Sequence, residues 1–193
     1  MQENKDAQLS TRRIGLGTMG LADALIKMEL SYGSPLSLNL IEEIYQTIRD
    51  NTYRASVEIA KEKGPFPKFQ ANLYAMGEFI RQLPQDIQED ISRWGIRNAV
   101  LLTQAPTGTT SMLAGVSSGI EPVYEFIYVR KDRLGQHLVI HPLLEEYRAR
   151  VGDLNAKPEW FVSANDLTPD EHVKVQALIQ KYTDSSISKT VNA

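Results

Sequence analysis

Cysteine is absent from the 193 residues. That excludes disulfide scaffolds, thiolate metal sites, thiol nucleophiles and dithiol redox chemistry within this chain. A basic excess is missing too. Lys and Arg number 21 against 24 Asp and Glu, a formal net charge of −3. Holding a nucleic-acid backbone by phosphate neutralisation needs the opposite balance, so no nucleic-acid partner is expected. No apolar run approaches the roughly 18 residues of a membrane helix, so no membrane partner is expected. The opening Met1-Gln-Glu-Asn-Lys-Asp6 has no apolar stretch of the signal-peptide kind. The cytoplasm is the expected compartment. Internal repeats and low-complexity segments are lacking. What is present is 42% hydrophobic and 23% charged, which suits a soluble globular chain that builds a core or part of a larger one.

Residues 1–11 are polar and read as frayed or loop-like. Leu21, Ala24, Leu25 and Met28 recur at helical spacing over 21–30. Ser34-Pro35 is a helix start, with a hydroxyl cap and proline in the first turn. Leu40, Ile41, Ile44, Tyr45 and Ile48 keep one face apolar, and Lys63-Gly64-Pro65 is the stop. That helix would span roughly 40 Å at about 1.5 Å per residue, a length more natural on a large domain. Gly64-Pro-Phe-Pro67 is a rigid turn, and 68–83 are ambiguous. Pro84 opens a third helix, with Ile87, Ile91 and Trp94 on one face and Gly95 at its end. Asn98-Ala-Val-Leu-Leu-Thr-Gln104 reads as a strand covered on both faces. The runs 124–129 and 137–141 read as strands joined by a hairpin or excursion over 131–135. An extended piece is expected near 160–162. Thr168-Pro-Asp-Glu171 is a capping box before a helix with Val175, Leu178, Ile179 and Tyr182 on its buried stripe. Residues 186–192 read as a last strand. The alternation argues for an α/β fold with largely parallel strands: 1–96 mainly helical, then strands, a hydroxyl-rich loop, a helix and a final strand over 97–193. That last strand, with no element following to cover it, suggests part of something longer.

The segment Ala105-Pro-Thr-Gly-Thr-Thr-Ser-Met-Leu-Ala114 is the leading candidate for chemistry. A buried strand ends, a glycine turns, and Thr107, Thr109, Thr110 and Ser111 cluster around Gly108. With a short helix from Met112, free backbone amides and hydroxyls would face one concavity, an anion site whose common occupant is phosphate. The alternative is a hydroxyl-capped turn without a ligand. Gly15-Leu-Gly-Thr-Met-Gly20 is formally G-x-G-x-x-G, but only Arg12-Arg13-Ile14 precedes it and no second strand follows. Its glycines read as allowing close packing, not dinucleotide binding. His137, His141 and His172 lack an acid pair to complete a metal site and read as surface or hydrogen-bonded residues. Asp23 reads as a buried hydrogen-bonding group without chemistry, and Glu121 as an acid held by backbone donors. Tyr45, Tyr53 and Tyr74 read as packing residues. Lys189 could meet an anion, with a solvated lysine as the default.

Four blocks carry a family likeness: Arg13-Ile-Gly-Leu-Gly-Thr-Met-Gly-Leu-Ala-Asp23; Glu62-Lys-Gly-Pro-Phe-Pro67; Ala105–Met112 with Ser117-Ser-Gly-Ile-Glu-Pro122; and Ser186-Ile-Ser-Lys-Thr-Val-Asn192. In this order, over nearly the whole chain, they resemble ribonucleotide reductase large chains, most of all the adenosylcobalamin-dependent class. The resemblance implies the C-terminal part of a ten-stranded α/β barrel. It also implies that Thr107, Gly108, Thr109, Thr110 and Ser111 bind the substrate's phosphates, and that Gly15–Gly20 is not a dinucleotide site. In that family the reaction uses a thiyl radical on a barrel cysteine, an Asn and a Glu near it, and a redox cysteine pair. A chain without cysteine holds none of these, so no catalytic residue is assigned here. The implied partners are a ribonucleotide substrate, the N-terminal catalytic portion that this chain lacks and a thioredoxin-like reductant. The implied cofactor is adenosylcobalamin, with most of its site outside this chain.

The expected role is a fragment, or one piece of a split reductase, that supplies the phosphate side of a ribonucleoside di- or triphosphate reductase. Two alternatives stay open. One is a non-catalytic nucleotide- or phosphate-binding remnant, motivated by the missing cysteines. The other is a truncation whose unpaired strand edges invite association.

Overall fold

A computed structural model describes residues 2–132 and 135–192. Arg133 and Leu134, at the centre of the expected 131–135 connection, and Ala193, at which the sequence stops, lie outside the described residues. The chain divides into two compact units. The first comprises Met1–Gly17, Glu42–Gln104 and Ile179–Ile187, the second Thr18–Ile41, Ala105–Leu178 and Ser188–Ala193.

In the first unit, α1 (Gln2–Thr11) corrects the expectation of a frayed start. It buries no residue, and local bonds hold it: Gln2 donates to Asp6 at 2.8 Å, and Ser10 donates to the Ala7 carbonyl at 2.8 Å. A helix with only Ala7 and Leu9 apolar gives no periodic signal. The long helix α3 (Pro35–Lys63), which belongs to the first unit from Glu42 onward, has the expected limits. At its start the Ser34 hydroxyl accepts the Ser37 amide at 3.2 Å. At its end Arg97 donates to the carbonyls of Lys63 and Gly64, both at 2.9 Å. The ambiguous stretch resolves into two short helices, α4 (Ala71–Ala75) and α5 (Glu78–Arg81), followed by α6 (Gln85–Trp94). Tyr53 and Val57 of α3, Ile87 and Ile91 of α6, and Phe66, Ile96, Leu101 and Leu102 form one apolar cluster.

The run 98–104 is extended, but it pairs through single bridges instead of a full strand. Leu102 bridges Leu16 and Gln104 bridges Ile187, both parallel. Of the expected last strand, only Ile187 is bridged. Gly17 lies so close to this run that an added Cβ would sit 2.3 Å from the Thr103 carbonyl oxygen. The close-packing reading of the glycines thus holds at that position. The Asp184 carboxylate organises the run. It accepts the amides of Leu101 (2.9 Å) and Leu102 (2.8 Å) and the Tyr53 hydroxyl (2.7 Å). Burial, with the nearby Tyr74 and Asp184, pushes the Tyr53 phenol well above its ordinary range.

The second unit contains α2 (Leu21–Lys27), α7 (Gly108–Ala114), β1 (Ile127–Asp132), β2 (Gly135–Ile140), α8 (Pro142–Val151) and most of α9 (Pro169–Gln180). The two strands form an antiparallel hairpin, with Ile127 opposite Ile140 and Arg130 opposite His137. The first strand starts at Ile127, later than the 124 expected. Among the described residues this is the only sheet. Parallel pairing survives in the second unit as one bridge, Val123 with Ser163, just past the expected extended piece, beside the two bridges of the first unit. The fold is α/β and helix-rich. Helix α8 was not foreseen, although Pro142 at its start and Gly152 after it are ordinary start and stop residues. The capping box of α9 is formed: Glu171 accepts the Thr168 amide at 2.8 Å, and Thr168 accepts the Glu171 amide at 3.4 Å. Phe126 and Phe161 meet edge to face at 5.2 Å in this unit's core, where Leu25, Ile120, Leu144 and Val175 are buried. No helix among the described residues is long and apolar enough to cross a membrane.

Replacing Asp184 with Ala leaves two buried amides and a buried hydroxyl without an acceptor. Urea denaturation should show a loss of about 2–4 kcal/mol of unfolding free energy, since bonds to a charged acceptor are worth more than neutral ones. A loss below about 1 kcal/mol would contradict this role.

Candidate functional site

A cavity of about 580 Å³ lies within the second unit. Its wall includes Ser111 and Met112 of α7, Ser117, Ser118 and Glu121 of the following loop, Tyr128, His141, and Thr190 with Asn192. The predicted anion loop stands at its margin. Only Ser111 of the five predicted residues lines the cavity, and it is buried. Gly108, Thr109 and Thr110 are exposed.

Helix α7 begins at Gly108, not at Met112 as expected, so the hydroxyls sit in its first turn. The cause is local. Thr107 adopts a left-handed conformation (φ 53) and its carbonyl accepts the Ser111 amide at 2.8 Å, which starts the helix four residues early. Among the described residues, the amides of Gly108, Thr109 and Thr110 have no backbone acceptor. A Cβ built on Gly108 would meet nothing within 4 Å, so the backbone there is open to an approaching group.

The loop 117–121 braces this turn. The Gly119 amide donates to the Thr107 hydroxyl at 2.7 Å, and the Ser111 and Ser118 hydroxyls bond at 2.9 Å. Gly119 is left-handed (φ 47), and a Cβ there would lie 2.8 Å from the Ala105 carbonyl oxygen. Each end of the loop is held by an acid. Asp23 accepts the Ser117 amide at 2.7 Å. Glu121 accepts the Thr190 amide at 2.7 Å and Lys189 Nζ at 3.0 Å. The reading of Asp23 as a buried hydrogen-bonding group and of Glu121 as an acid held by a backbone donor both stand.

Lys189 departs from its default. Its side chain is 0% exposed, not solvated. Besides Glu121 it donates to the Thr190 carbonyl and to His172 Nδ1, both at 2.8 Å. His172 Nε2 lies 3.2 Å from the Ala164 carbonyl, which can only accept, so Nε2 carries the hydrogen and Nδ1 receives the lysine. Burial draws the Lys189 ammonium below its ordinary value, against the pull of Glu121. Sequence reasoning treated Lys189, His172 and Glu121 separately. Nothing local signals that residues 68 positions apart share one ion pair.

His141 Nε2 lies 3.4 Å from Asp23 Oδ1. No group of three or more metal-ligating side chains occurs among the described residues. Tyr53 and Tyr74 pack in the first unit's core, and Tyr45 is buried.

A family model described as "Ribonucleotide reductase, barrel domain" matches residues 1–193. A vitamin B12-dependent ribonucleoside-diphosphate reductase of Thermoplasma acidophilum is 36% identical over 213 residues, covering 100% of this chain and 26% of its own length. One from Mycobacterium tuberculosis is 31% identical over 209 residues, covering 97% of this chain and 28% of its own. The ribonucleoside-diphosphate reductase large chain of Encephalitozoon cuniculi is 28% identical over 162 residues, covering 79% of this chain and 21% of its own. The chain thus spans about a quarter of the length of these curated relatives.

Burial pushes the His141 imidazole below its ordinary 6.5, with Asp23 pulling the other way. As pH falls, the unfolded chain takes this proton first. The contribution to stability is therefore whole above about 6.5 and is lost as pH drops through the lower folded value. Thermal unfolding of His141→Asn should show a shallower acid-side decline than wild type between about pH 7 and pH 5. Parallel curves would contradict it.

Proposed function

We propose, since the chain belongs to the ribonucleotide reductase barrel-domain family, that it supplies the substrate phosphate-binding side of a ribonucleoside-diphosphate reductase. In this reading it is the C-terminal portion of a ten-stranded α/β barrel, and it works with an N-terminal portion that carries the radical cysteine. A thioredoxin-like reductant would restore that portion after each turnover, and the assembly would act in the cytoplasm. Thr107, Gly108, Thr109, Thr110 and Ser111 hold the phosphates.

One observation carries the reading. Thr107 and Ser111 are pinned by Gly119 and Ser118, while among the described residues the amides of Gly108, Thr109 and Thr110 have no backbone acceptor and Thr109 and Thr110 are exposed. Pre-positioned donors without internal acceptors favour an anion, because bonds to a charged acceptor are short and strong. Ser111 is the inner support of the loop: its hydroxyl donates to the Gly108 carbonyl at 3.2 Å. The work of this chain is then to bind and orient a nucleotide by its phosphates, so that the sugar meets residues carried elsewhere.

The names of the two relatives bring vitamin B12 into the proposal, in the adenosylcobalamin form that the family resemblance implies. The residues present do not fit it by themselves. A corrin ring with its nucleotide tail exceeds a 580 Å³ cavity, and of the large apolar side chains nearest the loop Met112 lines the cavity yet is 73% exposed, while Leu113, 87% exposed, lines none of it. No step is derived through the cofactor. A second reading, a phosphate-binding remnant without catalysis, draws support from the complete lack of cysteine.

Gly108→Val with Thr109→Ala separates the readings. A Cβ at the open Gly108 position meets nothing within 4 Å, so the fold should persist with valine there while phosphate approach is blocked. With the N-terminal portion supplied, wild type should form deoxynucleotide, and the double variant should lose about a hundredfold in substrate affinity, near 3 kcal/mol. Unchanged activity in the variant would overturn the assigned loop. Pyrophosphate binding without any reduction would favour the remnant.

A further inference from the structure

We propose that Glu121 and Lys189 are positioning residues for the phosphate loop, acting through Gly119 and Thr107. The inference rests on the phosphate reading above and assigns these two residues a role in it. Neither touches Thr107, Gly108, Thr109 or Thr110 among the bonds described. Their influence runs through the loop 117–121, which is the brace of that turn.

The connection is a short run of bonds. Lys189 Nζ holds Glu121 Oε2 at 3.0 Å, and the neighbouring Thr190 amide holds Oε1 at 2.7 Å. Both carboxylate oxygens are therefore engaged from one side, which fixes the backbone of residue 121. The Glu121 amide donates to the Ser118 carbonyl at 2.9 Å, closing a tight turn over 118–121. The Tyr32 hydroxyl donates to the Ile120 carbonyl at 2.5 Å. Within that turn Gly119 presents its amide to the Thr107 hydroxyl, and Ser118 presents its hydroxyl to Ser111. Among the described residues, the left-handed Thr107 is one of three non-glycine residues with positive φ. Such a conformation persists where surrounding bonds over-determine it. The Gly119 amide is the bond that holds the Thr107 side chain, and the ion pair holds the turn that aims this amide.

Geometry gives the pair this role more than a general cohesive one. All three ammonium hydrogens of Lys189 have acceptors: Glu121, His172 and Thr190. The cation has none left for a ligand, so it is not itself a phosphate contact. It is a fixed point from which the turn is suspended.

The test uses the full chain with pyrophosphate as the probe. Calorimetric titration and amide NMR are applied to wild type, Glu121→Gln and Lys189→Met. Each variant should weaken pyrophosphate binding at least about tenfold and move the Gly119 amide resonance in the free protein. Combining the two should cost no more than either alone, because both remove the same suspension. A lowered melting temperature with the Gly119 resonance and the pyrophosphate affinity unchanged overturns the proposal. Glu121→Gln keeps an acceptor for the Thr190 amide, so it decides the matter should Lys189→Met fail to fold. If wild type takes up no pyrophosphate, the phosphate reading falls. The Gly119 resonance of Glu121→Gln then still decides the bracing: a shift supports it, and none refutes it.

Discussion

A lysine ammonium with no exposed surface must be neutralised and fully hydrogen-bonded, and in the second unit the site is arranged around that requirement. Lys189 satisfies it with Glu121, the His172 ring and the Thr190 carbonyl. Breaking such a buried pair by removing one partner typically costs about 3–5 kcal/mol, because the other charge is left uncompensated. The consequence is positional. Glu121 cannot drift without stranding the cation, so the turn 118–121 and the Thr107–Gly119 bond that depends on it are fixed as well. The buried histidine is drawn into the same requirement as a neutral acceptor whose other nitrogen is occupied by a backbone carbonyl.

The first unit uses a carboxylate in a comparable way. Asp184 gathers two consecutive amides of an extended run that has no full strand beside it. Backbone donors in a covered segment need acceptors. Where single bridges to Leu16 and Ile187 leave amides over, a side-chain carboxylate takes them. In the first unit, then, an acid takes the consecutive amides that a continuous ladder would otherwise pair. This is consistent with a family whose name is a barrel and with a chain that spans about a quarter of its relatives' length.

Much of the secondary structure was legible because its signals are local. Ser34-Pro35 and Gly64-Pro65 mark the ends of α3, and Thr168 with Glu171 opens α9; each acts through bonds within three or four residues. Helix α1 was illegible since Ala7 and Leu9 are its only apolar residues and it buries nothing. The early start of α7 was illegible for another reason. It turns on a left-handed threonine, and threonine gives no sequence sign of adopting that conformation. The candidate loop 107–111 was legible as a cluster of small hydroxyl residues around a glycine. Its division into two pinned members, three open ones and a cavity touching only Ser111 was not, because the pins come from residues 118 and 119.

The amino-acid sequence alone determined the lack of thiol chemistry and the family. Without cysteine the chain performs no thiol chemistry, and four ordered blocks carry a likeness that the family match over residues 1–193 bears out. Those conclusions depend on which residues occur and in what order. Tertiary structure decided which charges are buried, which amides are left free, and which residues share a wall. Lys189 shows the difference. As a residue between Ser188 and Thr190 it reads as solvated. Only when the chain brings Glu121 and His172 to it does burial become affordable, since a buried charge is tolerable where opposite charge and acceptors already wait.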